Sequence, residues 1–510
     1  MSRTIDSSIP RDKFEPYESA EELFERLPQP FHVLPDSCQS LQTTVIHEIQ
    51  SLIDKQNDID GTSLSSQEED ALDDGFILLD IKIIERKLMA WYKMFPRIKP
   101  FFALKCNPDH MVAHVLGLSP ACGFDCASIS EIRLALSSSG GDRRRCVYAN
   151  PQRARDDLEK SIQLGIGAMT FDGIEELHKI RDSYDRHLQE LIDDANEKTD
   201  EFPLPPQMIL RIVVPDGHSS VPLGEKFGAA PSKVEILTEE AMKLGLDVIG
   251  VSFHCGSGCH DAEAYGTAIR IAKDSIDIIN GVLRQWNEMD GKDRKECTLL
   301  DIGGGYPGVD GVGGDKHRFT AIHNDLTACE PEKEGVETVL KIANIVTPLI
   351  DELFPIGETS IQVISEPGRY FVEAAFIYCA RIYSAKKDED SGLLHYYIAQ
   401  GVQDLFKDVL LCDEIFTPIP LLVYEEDGTG DTSLDSERVK DKLFDSMVHG
   451  PSGESFDVVC KDCKLPLLRV GDWLIFDRMG AYTLSIAARN SSLPVRYVLG
   501  GGGETKFDEQ

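Results

Sequence analysis

The sequence predicts an α/β protein, a (β/α)8 TIM-like barrel followed by a C-terminal β domain of sandwich or barrel type. Two observations predict it. Between residues 100 and 370, short apolar runs alternate with amphipathic segments of helical spacing, which is the pattern of parallel β/α folds. Beyond residue 370 the apolar runs follow one another without intervening helices, which indicates a separate β-rich domain.

Eight strand-like runs account for the barrel. In chain order they are PFFAL 100–104, CGFDC 122–126, RCVYAN 145–150, GAMTF 167–171, MILRIVV 208–214, DVIGVSFH 247–254, TLLDI 298–302 and IQVIS 361–365. Most of the segments between them, such as ISEIRLALSS and VEILTEEAMKLG, have apolar residues at helical spacing. Eight strands that alternate with helices are typical of a TIM barrel.

The β domain is predicted from the runs AAFIYCARIYS, LLHYYIAQ, VGDWLIFD and VRYVLG, and FHVLPD at 31–36 is expected to add a strand to it. We therefore divide the chain into three parts. Residues 1–75 form an N-terminal segment, partly disordered, that contributes to the β domain. Residues 76–370 form the barrel, and residues 371–510 form the β domain.

Composition excludes several classes of function. The 510 residues include 52 Lys+Arg and 87 Asp+Glu, which gives a formal net charge of −35. Nucleic acids and anionic membranes require a basic face. No apolar run reaches the ~20 residues that span a bilayer, and the first residues lack the apolar core of a secretory signal. The thirteen Cys are scattered, unlike a disulfide framework. We expect a cytoplasmic protein without a membrane or nucleic-acid partner.

Four polar stretches interrupt the apolar runs, at residues 54–74, 182–201, 306–333 and 424–442. Three of them are strongly acidic, and the stretch 306–333 is rich in glycine. A docking surface is one interpretation. Solvated insertions or linkers are the interpretation favoured by composition, because such runs seldom bind a specific partner.

Polar residues stand at the C-terminal ends of the predicted strands, where TIM barrels carry their chemistry. They are Lys105, Asp125, Asn150, Asp172, Arg211, His254, the run Gly303-Gly304-Gly305, and Glu366. A lone lysine at a strand end commonly reaches solvent, but in a desolvated barrel mouth it is an amine nucleophile able to form a Schiff base. The stretches HCGSG (254–258) and DIGGGYPG (301–308) are candidate phosphate cradles. A lysine, a phosphate site and a buried carboxylate together meet the requirements of pyridoxal phosphate.

The order of the motifs is more specific than any one of them. PFFALKCN, GFDCAS, YANP, MTFD, VSFHCGSG, LLDIGGGYPG, SEPGRY and VGDWLIFDRMGAYT follow one another over roughly residues 75–500. This series resembles the eukaryotic ornithine decarboxylase family, which consists of fold-type III pyridoxal phosphate decarboxylases. The resemblance implies a carbon–carbon lyase with pyridoxal 5′-phosphate as cofactor. It also implies a small amino-acid substrate and a homodimer with shared active sites. Ornithine, converted to putrescine in polyamine biosynthesis, is the default substrate, and a related or modified basic amino acid is the alternative.

The resemblance also implies roles for individual residues. Lys105 would hold the cofactor through a Schiff base, and His254 would stack on the face of its ring. Glu366 would pair with the pyridine nitrogen, because a carboxylate there favours the protonated ring and makes it a stronger electron sink. The other expected cofactor contacts are Asp125, Arg211, Ser257, Gly304, Gly305, Pro367, Gly368, Arg369 and, from the β domain, Tyr482.

The substrate side departs from the family pattern. The family has a WGPTCDGLD-like loop, contributed across the dimer interface, whose Cys supplies a proton and whose Asp holds the distal amine of ornithine. Here the loop is HGPSGESFD (449–457), with Gly453 and Glu454 at those two positions. A second specificity position, an Asp in the family, falls on Cys412, with Asp413 next to it. We expect Cys412, Asp413 and Glu454 to contact substrate. Cys412 is also a candidate proton donor, although a small buried hydrophobe is the commoner role of a lone Cys.

Two alternative functions stay open. Loss of the loop Cys favours a catalytically inactive regulator of the antizyme-inhibitor type, whereas Lys105, Glu366 and the glycine stretches oppose it. The other alternative is a pyridoxal phosphate enzyme of specialised metabolism that protonates the wrong carbon. Such an enzyme gives an aldehyde by decarboxylation-dependent transamination.

Overall fold

The computed structural model describes residues 32–33, 41–57, 65–194, 203–217, 219–309, 336–421, 442–487 and 493–499. These residues belong to two compact units. The first contains the described residues of 85–309 and 336–371, and the second contains those of 32–84 and 372–499. The division predicted from the sequence, after residues 75 and 370, stays a prediction.

The strands, in chain order, are β1 His32–Val33, β2 Phe76–Asp80, β3 Ile98–Ala103, β4 Gly123–Cys126, β5 Cys146–Tyr148, β6 Ala168–Phe171, β7 Gln207–Arg211, β8 Ser219–Val221, β9 Val248–Ser252, β10 Ser257–Cys259, β11 Leu299–Asp301, β12 Gln362–Ser365, β13 Phe376–Arg381, β14 Ser384–Lys387, β15 Leu394–Tyr397, β16 Ile419–Leu421, β17 Phe444–His449, β18 Val458–Leu465, β19 Trp473–Phe476 and β20 Val495–Leu499. The helices are α1 Leu41–Asn57, α2 Ser66–Asp74, α3 Ile81–Met94, α4 His110–Leu118, α5 Ile129–Ser138, α6 Arg155–Gln163, α7 Ile174–Asp194, α8 Val234–Lys243, α9 Ala262–Asp290, α10 Val336–Leu353, α11 Arg369–Val372 and α12 Asp408–Leu411.

The first unit is a closed barrel of parallel strands, in the order β3, β4, β5, β6, β7, β9, β11 and β12. These are the eight strands predicted from the sequence, so the TIM-like barrel is confirmed. Alternate residues of each strand point inward, and Phe101, Val147, Ile209, Leu299 and Ile364 pack together as its apolar interior. The barrel mouth therefore lies above a packed apolar core.

Local signals fix the ends of the outer helices. The Asp261 side chain accepts a hydrogen bond from the Glu263 N–H at the start of α9, which satisfies one of the free donors of a helix N-terminus. Gly291 ends the same helix with a φ of +69° and donates its N–H to the Asn287 carbonyl. Glycine is favoured there because a side chain strains this left-handed conformation. None of the helices described is long and apolar enough to cross a membrane.

The second unit is rich in β structure, as expected. One sheet has the order β1-β20-β2-β13-β19-β16 and another has β14-β15-β17-β18. Phe76, Ile377, Trp473, Ile475 and Val498 are part of a buried cluster in this unit. Strand β1 lies within the predicted FHVLPD strand and pairs with β20. The remainder of residues 1–40 lies outside the described residues, as does the expected disorder of the N-terminal segment.

Strand β2 is the main difference from the sequence-based division. Residues 76–80 fall inside the predicted barrel range, but β2 pairs with β13 and β20 of the second unit. The run FILLD is apolar at four of five positions. A continuous apolar run of this kind suits either a barrel strand or the centre of another sheet.

Two of the polar stretches, expected to be solvated insertions or linkers, are largely helical, so they are not irregular loops or linkers there. Helix α2 occupies residues 66–74, and its Ala71 and Leu72 are buried. Helix α7 continues through residues 182–194. In both segments the acidic residues outnumber the apolar ones, so the apolar face by which an amphipathic helix is recognised is weak in the sequence. Residues 310–335 and 422–441, which contain most of the other two stretches, lie outside the described residues.

Candidate active site

Lys105 lies two residues beyond the end of β3, at the mouth of the barrel. Its Nζ is 2.8 Å from Oδ2 of Asp125 in the neighbouring strand β4. The register that pairs Ala103 with Asp125 places both at the same edge of the barrel. The Asp125 side chain is fully buried, whereas that of Lys105 is 33% exposed. The lysine amine is thus held at an opening by a buried carboxylate.

Two more buried carboxyl groups end the adjacent strands. Asp301 is the last residue of β11 and is fully buried, and Glu366 follows β12 and is 5% exposed. Burial raises the pKa of Asp301 to about 7. Burial, together with the charges of Asp125 and Asp301, raises the pKa of Glu366 well above its usual range, although Lys105 and Arg211 oppose the shift. Three carboxyl groups face two cations, which favours a further positive group in this site.

His254 follows β9 and presents a neutral ring. Its Nδ1 accepts a hydrogen bond from the Gly256 N–H at 3.0 Å, so in the neutral ring Nε2 carries the proton. Burial lowers the pKa of His254 well below its usual value, and the positive charges of Arg211 and Lys105 add to the shift. A neutral, flat imidazole suits contact with an aromatic ligand.

The glycines of residues 303–305 allow a close approach of backbone to His254. The φ angles of Gly303 and Gly305 are +65° and +100°, which L side chains rarely adopt. A Cβ on Gly304 would lie 2.9 Å from His254 Nε2, and one on Gly305 would lie 2.3 Å from the Gly256 carbonyl oxygen. Only glycine fits at these two positions, as in loops that present backbone N–H groups to a phosphate.

The other predicted cofactor residues of the barrel are near these segments. Ser257 begins β10 and is half-buried. The Pro367 carbonyl accepts a hydrogen bond from the Ala103 N–H, close to Lys105. A Cβ on Gly368 would lie 2.9 Å from the Cys106 Cβ. Arg369 is the first residue of α11 and is half-buried.

Four predicted residues belong to the second unit. Tyr482 has a φ of +55° and Asp413 a φ of +53°. Cys412 follows α12 and is exposed, which does not fit a small buried hydrophobe. Glu454 is exposed in the loop between β17 and β18. Their roles toward substrate and cofactor stay predictions.

A buried aspartate that the sequence did not single out holds that loop. Asp457 is 3% exposed. Its Oδ1 accepts a hydrogen bond from the Val402 N–H and its Oδ2 one from the Ser452 N–H, both at 2.9 Å. A Cβ on Gly450 would lie 2.3 Å from Asp457 Oδ1. The signal was present, because Asp457 matches the last Asp of the family's loop motif.

The barrel residues fit pyridoxal phosphate. Asp125 Oδ1 and Asp301 Oδ2 are buried and accept no hydrogen bond within the described structure, and the excess of carboxyl groups suits a protonated pyridine ring. The glycine segment suits the phosphate, and Lys105 supplies the amine. Asp301 is a further site residue, which the sequence shows only as part of the motif DIGGGYPG. Over the described ranges, no group of three His, Cys, Asp or Glu side chains could hold a metal ion.

The His254 ring makes stability depend on pH. Its pKa is lower in the folded barrel than in the unfolded chain, so below pH 6.5 the unfolded chain binds the proton more readily and stability is lost as the pH falls. The raised pKa values of Asp301 and Glu366 act in the opposite direction over the same range, so the effect of His254 is read as a difference. Between pH 7.5 and 5.5 we expect the free energy of unfolding of the cofactor-free protein to change less favourably in wild type than in His254→Gln. Denaturant titrations at both pH values measure this. Equal pH dependence in wild type, His254→Gln and the exposed control His110→Gln would contradict it.

Comparison with known proteins agrees with this geometry. A model of the family described as pyridoxal-dependent decarboxylase, pyridoxal binding domain, matches residues 81–373. Antizyme inhibitor 2 of Xenopus laevis is 33% identical over 448 residues, 85% of this chain and 82% of that protein. Ornithine decarboxylase of Mus musculus is 30% identical over 429 residues, 81% of this chain and 78% of its own. The structure of the arginine decarboxylase of Paramecium bursaria Chlorella virus has a TM-score of 0.64 and 26% identity, and the match covers 83% of this chain and 95% of that one.

Proposed function

Because this chain belongs to the family of pyridoxal-dependent decarboxylases, carbon–carbon lyases whose cofactor is pyridoxal 5′-phosphate, we propose that it removes the α-carboxylate of a basic amino acid. L-Ornithine is the first choice, with putrescine as product, and a related or modified amino acid is the alternative. The observation that carries the proposal is the Lys105–Asp125 pair at the barrel mouth beside buried Glu366. A cytoplasmic location and a part in polyamine biosynthesis belong to the same proposal.

Each barrel residue has a separate task in this proposal. Lys105 would bind the cofactor covalently, and Asp125 orients its Nζ. His254 would cover one face of the ring, with Arg211 in the same pocket. When bound, the cofactor takes up the electron pair that departing CO2 leaves behind. Glu366 stabilises the protonated ring nitrogen, since a carboxylate with a raised pKa gains most from a nearby positive charge.

The phosphate is held by backbone and by one cation. Gly304 and Gly305, which have no side chain of their own, would offer their N–H groups, Ser257 would add a hydroxyl, and Arg369 would add charge at the start of α11. Pro367 and Gly368 would keep the chain close to the cofactor, and Tyr482 is a further proposed contact of the phosphate. These residues would hold the cofactor phosphate and take no part in breaking bonds of the substrate.

We assign the substrate's distal amine to Glu454, supplied by a second copy of the chain in a homodimer with shared active sites. Glu454 is exposed in the isolated chain, as expected for a residue that acts in a partner's site. The buried Asp457 fixes the loop that carries it. Cys412 and Asp413 also contact the substrate in this proposal, and Cys412 takes the place of the proton donor that is lost at Gly453.

Removing the charge of Glu454 tests this assignment. In Glu454→Gln we expect the KM for ornithine to rise about tenfold or more, since a charge-assisted hydrogen bond is worth roughly 1.5–3 kcal/mol. Steady-state kinetics measure it. The exposed Glu389→Gln has the same loss of charge in the same unit and serves as control. A KM within twofold of wild type in both variants would remove Glu454 from the substrate site.

The reaction itself is tested with a panel of substrates. Purified protein loaded with pyridoxal phosphate receives ornithine, lysine, arginine, diaminobutyrate and diaminopropionate, and mass spectrometry scores amines and aldehydes. We expect one amine to dominate. An aldehyde with aminated cofactor would show that loss of the family Cys redirects protonation to the wrong carbon. The enzyme would then catalyse decarboxylation-dependent transamination.

A regulatory role is the second candidate. Two observations favour it, namely Gly453 in place of the family Cys and the 33% identity to a protein named antizyme inhibitor 2. The retained Lys105, Glu366 and glycine segment oppose it. A regulator of this kind gives neither amine nor aldehyde with any member of the panel, and retains its full effect on a binding partner in Lys105→Ala.

A further inference from the structure

Lys87, in the middle of α3, is a buried cation that the proposed mechanism does not use. Its side chain is fully buried, although lysine is rarely buried without partners. Its Nζ donates hydrogen bonds to the carbonyl oxygens of Gly308 at 2.6 Å and Tyr370 at 2.7 Å. The same ammonium lies 5.1 Å from the centre of the Tyr370 ring. In return, the Tyr370 hydroxyl donates to the Lys87 carbonyl at 3.0 Å.

These two carbonyls belong to the two segments that flank the proposed phosphate site. Gly308 ends the stretch that begins with residues 303–305, and Tyr370 follows Arg369 directly. The Lys87 ammonium group therefore connects both of these segments to α3. Since each carbonyl is fixed by a charged donor, these contacts are stronger than neutral hydrogen bonds.

Aromatic contacts extend the same connection. Trp91, one turn after Lys87, packs edge-on against Tyr306 with ring centres 5.0 Å apart, and its ring is tilted against that of Tyr370 at 5.5 Å. Tyr306 in turn stacks on Tyr265 at 5.1 Å, and the Tyr265 hydroxyl donates to the Gly304 carbonyl. Helix α3 is thus connected to residues 303–308 in two ways: by the hydrogen bonds of Lys87, and by the aromatic contacts that begin at Trp91.

The charge of the Lys87 ammonium group has a second effect, on the binding of an anion. In a dry interior, an ammonium group produces a field that water does not screen. An anion that binds between the two segments gains from this field, whereas a neutral ligand does not. A lysine that served only to pack α3 against the barrel would stabilise all ligands of the site equally.

We propose that Lys87 is a positioning residue for the phosphate of the cofactor: it fixes the segments 303–308 and 366–370 in their anion-binding conformation and places a positive charge behind them. The inference rests on the phosphate site of the proposed function. It predicts that loss of the charge weakens binding of pyridoxal phosphate and spares binding of pyridoxal, which lacks the phosphate but keeps the aldehyde and ring.

The test compares the two ligands in cofactor-free wild type, Lys87→Met and Lys87→Gln. Absorbance titration follows covalent attachment to Lys105 and gives both dissociation constants, and thermal unfolding without ligand reports folding. Lys87→Gln keeps a hydrogen-bond donor and tests the charge even where Lys87→Met does not fold. Lys93→Met makes the same change on an exposed part of the same helix and serves as control.

We expect the Kd for pyridoxal phosphate to rise about 10- to 100-fold in the Lys87 variants, as for other residues that orient a site's ligands, with the Kd for pyridoxal within twofold of wild type. An equal loss for both ligands, or no loss for either, overturns the inference and leaves the proposed function standing. Absence of covalent attachment in the wild type would instead count against the proposed function itself.

Discussion

Lys105→Ala is expected to abolish amine formation, with a fall in kcat/KM of at least about 10³-fold, as for the loss of other covalent catalytic groups. No other lysine Nζ among the described side chains is hydrogen-bonded to Asp125, so a neighbouring amine does not take over its place. Product formation from ornithine, measured by mass spectrometry, is the readout. Lys386→Ala, an exposed lysine of the second unit, is the control and keeps wild-type turnover.

A second readout ties this loss to the cofactor. Borohydride reduction of the loaded wild type, followed by peptide mapping, should place the cofactor on Lys105, and the alanine variant should carry none. Turnover above about one per cent of wild type in Lys105→Ala, or an adduct on a different lysine, would remove Lys105 from its assigned role.

Glu366→Gln is expected to change activity and stability in opposite directions. We expect kcat to fall about 10²- to 10³-fold, the usual effect of losing a preorganised electrostatic group. The pKa of Glu366 is raised by burial and by Asp125 and Asp301, so the folded barrel loses stability as the pH rises above the ordinary value of 4.5 and the carboxyl ionises. The neutral amide removes that cost, and we expect the cofactor-free variant to be more stable at pH 7.5 by about 1–3 kcal/mol.

Steady-state kinetics and denaturant unfolding of the cofactor-free protein measure the two effects. Glu352→Gln, an exposed glutamate of α10 in the same unit, is the matched control and should change neither. A Glu366→Gln variant that is both less stable and fully active would show that this carboxyl group is structural.

The barrel was predictable because its strands are short apolar runs and most of the segments between them have apolar residues at helical spacing. The assignment of β2 was not, because FILLD has no alternation that distinguishes one sheet from another. Its partners β13 and β20 are about 300 and 400 residues further along the chain, and pairing at that separation leaves no local signal.

The site was predictable to the extent that its residues stand at strand ends or in motifs. Lys105, His254 and Glu366 do so. Lys87 does not, because in IKIIERKLMAWYKM nothing distinguishes it from Lys82 and Lys93 on either side, and only the packing of α3 shows that it is buried. Asp301 was hidden for a different reason, since its raised pKa comes from burial and not from its sequence neighbours.

The most direct test of a decarboxylase that forms an amine is the mass of the product made in D2O. Loaded protein is incubated with ornithine, and the non-exchangeable deuterium in the product is counted. Our account predicts putrescine with one deuterium at the carbon that lost CO2, formed by wild type and absent from Lys105→Ala. Ornithine recovered unchanged from fully loaded wild type, or an aldehyde accompanied by aminated cofactor, would contradict it.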